Sequence, residues 1–130
     1  MRDKTKYWLE LCNEDLTTAQ FLYESSRWLH MGFFCHLVAE KALKAVISEV
    51  SDNVPPRTHD LHRLASVSNI LNELSDDHLD LLDKLNPLQI EARYPEYKSK
   101  IASSMDQKYC VALLAETEGF LCWIRQKLEM

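Results

Sequence analysis

The sequence predicts an all-α protein, an antiparallel up-and-down bundle of about five helices, three long and two short. Three observations carry this. The 130 residues include only 2 glycines and 4 prolines, too few for the turns of a β-rich chain. Apolar residues recur every three or four positions over long stretches. Helix-start chemistry precedes several of those stretches.

The first helix is expected over about 5–26, where Trp8, Cys12, Leu16, Ala19, Leu22 and Tyr23 share one face. The string Arg27-Trp28-Leu29-His30-Met31-Gly32 reads as the break after it, with Gly32 as the punctuating residue. The second helix, from about 32 to 49, is apolar around most of its circumference: Phe33, Phe34, Leu37, Val38, Ala42, Leu43, Val46 and Ile47. That pattern marks a central helix. His36, Glu40, Lys44 and Ser48 recur every four residues with Lys41 alongside, so they form one narrow polar stripe. Such a stripe is expected to face solvent, a partner or a site.

Pro55-Pro56 lies in the following loop and stops any helix before it. Thr58 is the expected N-cap of the third helix, with Asp60 in its first turn and Leu61, Leu64 and Ala65 on its buried face. The fourth helix is expected to start near Ser75, to bury Leu79, Leu82 and Leu85, and to end at Asn86-Pro87. Residues 86–104 show no sustained helical period. Ser104-x-x-Gln107 reads as a capping box opening the last helix, whose apolar face includes Tyr109, Leu113, Phe120, Trp123 and Ile124. Gly119 lies inside that helix and is expected to mark a close approach of two helices. No internal repeat or low-complexity tract interrupts the pattern, and residues 1–130 read as a single domain.

The formal charge of −5 is unevenly spread: 6 basic against 7 acidic residues over 1–50, 4 against 9 over 51–97, and 5 against 4 over 98–130. No basic block exists, so duplex DNA binding by counterion release is not expected, although a local phosphate pocket remains open. Cys12, Cys35, Cys110 and Cys122 form no C-x-x-C pair and sit among apolar residues, as reduced core cysteines do. The N-terminus lacks an apolar signal region, and no window approaches the ~18 apolar residues of a membrane span. A cytoplasmic location follows as the expectation. His59 and His62 lie three apart but have no evident third ligand, so no metal is expected. No glycine-rich phosphate loop occurs, and no cofactor is expected.

Three strings together resemble the HEPN family: Ala39-Glu40-Lys41-Ala42-Leu43-Lys44-Ala45, Thr58-His59-Asp60-Leu61, and Ala92-Arg93-Tyr94-Pro95. Their order matches, with a tryptophan-bearing helix ahead and an aromatic helix behind, over about 5–128. The resemblance implies a helical bundle that is commonly a homodimer. It also implies frequent pairing with a small nucleotidyltransferase, in arrangements that include toxin–antitoxin pairs, and a nucleotide ligand.

Other members are metal-independent RNases that use an arginine and a histidine with four to six residues between them, a cation for the phosphate and an imidazole for the ribose hydroxyl. Arg93 stands nearest that position here, but no histidine follows it; Arg57 and His62 have the spacing at a different place. The reading that results is a non-catalytic binding module, with Lys41, Lys44, Arg93 and Tyr94 as first candidates for ligand contact and Arg57 and His59 next. Its alternatives are an RNase toxin and a dimeric scaffold without ligand. Trp28 and Phe34 are candidates for a dimer face.

Overall fold

The computed structural model describes residues 1–91 and 103–129. Those residues form five α-helices and one short 3-10 turn, with no strand among them. The helices are α1 (Asp3–Glu24), α2 (Trp28–Val50), α3 (Leu61–Val67), α4 (Asp76–Glu91) and α5 (Gln107–Glu129); the 3-10 turn is Leu71–Glu73. α2 packs against all four other helices, which makes it the central helix its apolar circumference predicts. Its Met31, Cys35, Val38, Ala39, Ala42, Leu43 and Ala45 are fully buried. Leu64, Leu82, Leu85, Leu113, Phe120 and Ile124 close the core around them.

The break between α1 and α2 falls at Ser25–Arg27, not at Gly32. Ser26 adopts φ 58°, the Ser26 amide donates to the Tyr23 carbonyl and the Arg27 amide to the Leu22 carbonyl. This is a Schellman closure with serine where glycine is usual, so its sequence signal is weak. Gly32 instead lies within α2. A Cβ there would come within 2.8 Å of Met105 Cε and 2.9 Å of Leu88 Cδ1, so this glycine lets other chain segments approach α2 closely. Gly119, expected in that role, has no described atom within 4 Å of its would-be Cβ.

Three helix boundaries also differ from expectation. The N-cap of α3 is Asp60, whose carboxylate accepts from the His62 and Arg63 amides; Thr58 Oγ1, two residues earlier, accepts from the Asp60 amide. Helix α4 runs through Pro87 to Glu91. Proline costs a helix interior ~3 kcal/mol, but Leu85, Leu88 and Gln89 on the same stretch are buried, and that burial holds the helix together. The cap of α5 is Asp106, which accepts from the Tyr109 amide at 2.8 Å, rather than Ser104. The start of α4 follows the sequence: Ser75 Oγ accepts from the His78 amide, and His78 Nδ1 accepts from the Ser75 amide. Cys12, Cys35 and Cys110 are buried as expected, whereas Cys122 is exposed. Trp28 and Phe34 are half-buried against the core rather than exposed.

Candidate functional site

The polar stripe of α2 does not face solvent. His36 is fully buried, Glu40 is 4% exposed and Ser48 is 1% exposed. The reason is tertiary: the loop from Ser51 to Asp60 returns across this face of α2, and α1 covers its flank.

Glu40 is the centre of the arrangement. Its Oε1 accepts from His59 Nδ1 at 2.7 Å, and its Oε2 accepts from Lys44 Nζ at 3.0 Å. Burial alone would raise the Glu40 pKa. The hydrogen bonds from His59 and Lys44, with the Lys44 charge, outweigh it and hold the carboxyl below its ordinary value. Lys44 also places its ammonium 5.5 Å from the centre of the Trp8 ring of α1.

His36 holds the same loop at a second point. Its Nε2 donates to the backbone carbonyl of His59 at 3.0 Å. This leaves Nδ1 as the acceptor nitrogen, without a hydrogen-bond partner among the described residues and 3.8 Å from Glu40 Oε1. Burial lowers the His36 pKa, against the opposing pull of Glu40, and so favours the neutral ring. Residue 59 is thus fixed twice, by its ring on Glu40 and by its backbone on His36.

With Nδ1–H committed to Glu40, His59 keeps Nε2 as its second ring nitrogen on a side chain that is half exposed. It lines an open cleft of about 320 Å³ together with Arg57, Thr58, Asp60, Asn86 and Gln89. Arg57 is exposed at this cleft and makes no hydrogen bond or ion pair with a described residue. Asn86 braces the cleft floor: its Oδ1 accepts from the Leu61 amide at 2.9 Å and its Nδ2 donates to Asp60 Oδ1 at 3.3 Å. An arginine, an oriented imidazole and an amide within one concavity can bind an anion. The imidazole, oriented by a buried carboxylate, can also move a proton.

The structure therefore brings Lys44 and His59 together on one carboxylate and puts Arg57 beside His59. It separates Lys41, whose ammonium pairs with Asp15 of α1 at 2.6 Å and clamps the two helices. Arg93 and Tyr94 lie outside the described residues. His62, spaced from Arg57 as in the RNase pattern, has its Nε2 on Asp83 Oδ1 at 2.7 Å. Glu40 and His36 were legible as members of a stripe, but their burial was not, and Asn86 read only as a helix stop. The four-residue recurrence of ionisable groups on an otherwise apolar helix was the available signal.

Among the described residues no group of three His, Cys, Asp or Glu side chains could hold a metal ion, and no helix is long and apolar enough to cross a membrane.

Fold and site define an all-α bundle whose central helix uses a buried carboxylate to orient a loop histidine. The chain belongs to the HEPN domain family, whose model matches residues 5–127. The fold is similar to that in the crystal structure of TT1696 from Thermus thermophilus. The TM-score is 0.82, over 97% of this chain and 99% of that one, at 19% sequence identity. At that identity the likeness speaks for the fold alone. Comparison with curated proteins gave no match.

Proposed function

We propose that this chain is a binding module that takes the phosphate of a nucleotide in the cleft at Arg57 and His59. In this reading it acts as a homodimer and pairs with a small nucleotidyltransferase, in the manner of a toxin–antitoxin couple. The observation that carries the ligand half is an exposed arginine without a described partner beside an imidazole fixed at both ring and backbone. An arginine left unpaired at a concave site is suited to forked recognition of phosphate oxygens. Membership in the HEPN family supports the partner half. Lys44 serves the site from behind, by holding Glu40, rather than by touching the ligand. Arg93 and Tyr94 remain proposed contacts for phosphate and base, while Lys41 is assigned to the Asp15 clamp.

The test is calorimetric titration of ATP and of GTP into the purified protein and into Arg57→Ala, His59→Ala and Arg93→Ala variants. Saturable binding that Arg57→Ala abolishes supports the reading. No binding of either nucleotide, or binding indifferent to Arg57, overturns it.

A second reading is favoured by one observation. The Glu40–His59 pair has the geometry of a carboxylate-oriented general base, and Arg57 stands two residues from it. In a metal-independent RNase, His59 Nε2 would take the ribose hydroxyl proton while Arg57 held the phosphate. Cleavage of bulk RNA in EDTA, lost in His59→Ala and Arg57→Ala but retained in His62→Ala, would establish it. Intact RNA at high protein concentration would remove it.

A further inference from the structure

Gly119 has no packing role among the described residues. It lies in the interior of α5, its φ is not in the left-handed region, and no described atom approaches its would-be Cβ within 4 Å. Glycine nonetheless weakens a helix at such a position.

The space beside it is structured. Gly119 lines a groove of about 510 Å³ between α4 and α5. The floor is aromatic: the His78 ring packs against Phe120 and Trp123, with centroids 5.4 and 4.8 Å apart. The hydrogen bond from the Ser75 amide to Nδ1 fixes that ring. The walls are acidic, with Asp77 on α4 and Glu116 on α5. Lys84 pairs with Glu116, its ammonium reaching both carboxylate oxygens at 3.1 and 3.5 Å. A carboxylate has acceptor capacity for a second cation. Trp123 already lies beneath one ammonium, that of Lys127, 5.8 Å from its ring centre, so its electron-rich face is suited to cations.

An aromatic floor between two carboxylates matches a flat or extended cation and repels phosphate. We infer that the α4–α5 groove is a docking site for a basic segment of a partner polypeptide. An arginine or lysine side chain of that segment lies over His78 and Trp123 between Asp77 and Glu116, and Gly119 leaves room for it. This site is on different elements from the Arg57 cleft, and the inference does not depend on nucleotide binding.

The experiment is an amide and indole NMR titration of the full chain with an acetylated hexa-arginine peptide, with hexa-glutamate as the control. The Trp123 indole and Gly119 amide resonances are expected to shift saturably with the basic peptide only. Gly119→Leu puts a side chain into the groove from a position whose would-be Cβ has no described atom within 4 Å, and Asp77→Asn with Glu116→Gln removes the charge. Each is expected to weaken binding roughly tenfold or more, while Asp3→Asn with Glu10→Gln on α1 leaves it unchanged. Spectra and melting temperature of Gly119→Leu report that the fold is retained. The inference is overturned if no shift occurs at millimolar peptide, if shifts spread evenly over all acidic surfaces, or if both groove variants bind as tightly as the parent.

Discussion

His59 donates a 2.7 Å hydrogen bond from Nδ1 to Oε1 of Glu40, joining a loop residue to a carboxylate buried in the central helix. Lys44 completes the charge balance of that carboxylate, and His36 binds the loop backbone beside it. The loop that carries Arg57 is therefore held by the core rather than lying on it.

Removing Glu40 should be costly. Glu40→Ala leaves the largely buried Lys44 ammonium and the His59 imidazole without their acceptor. The expected loss is about 3 kcal/mol in urea unfolding. His59→Ala, whose ring is half exposed, should cost about 1 kcal/mol, and the double variant should cost less than the two singles together. Strict additivity would mean that the two residues are not coupled.

Stability should fall as the medium is acidified, in two stages. His36 is held below its ordinary pKa of 6.5 by burial, and His78 is lowered for the same reason. The unfolded chain then binds more protons than the folded one below pH 6.5, so stability declines from there downward. Glu40, held below its ordinary 4.5 by His59 and Lys44 against burial, adds a second decline from about pH 4.5 through its folded value. Unfolding free energies measured between pH 8 and pH 3 should show both. A His36→Gln, His78→Gln double variant should lose the first decline and keep the second.

The two glycines should respond to alanine with opposite signs. Gly119→Ala adds a methyl group in open space and should stabilise by up to about 1 kcal/mol. Gly32→Ala forces the methyl against Met105 and Leu88, both buried, and should destabilise by about 1 kcal/mol despite the gain in helix propensity. Thermal melts of the two variants decide this directly.

Arg57→Ala should separate function from fold. Arg57 is exposed and unpaired among the described residues, so its removal should change stability by less than about 0.5 kcal/mol. Ligand titration and urea unfolding of the same preparation provide both readouts.

Thiol reactivity should single out one cysteine. Burial pushes Cys12 and Cys35 up to about 12 and Cys110 up to about 11, whereas Cys122 is exposed. A chromogenic disulfide reagent at pH 8 should therefore titrate one thiol rapidly in the folded protein and four after denaturation. Cys122→Ser should remove the rapid phase.

The bundle was legible in the sequence because helix period and burial are both local patterns. Trp8, Cys12, Leu16 and Ala19 share a face whatever they pack against, and the apolar circumference around Leu43 marks α2 as central without reference to its neighbours. The family strings were legible for the same reason, being short and contiguous. Helix ends were less so wherever tertiary contacts overrode propensity. Ser26 took a left-handed conformation that glycine usually takes, and Pro87 stayed helical because Leu88 is buried.

What the chain alone determined about the site was membership: His36, Glu40 and Lys44 had to lie along one line of one helix. Which way that line faced was decided only by the tertiary structure. The 51–60 loop folds back over it, and residues 19 to 23 positions apart in sequence meet at hydrogen-bonding distance. A spacing rule describes neighbours on one helix. The burial that turns a surface stripe into a buried ion pair depends on a distant segment crossing above it.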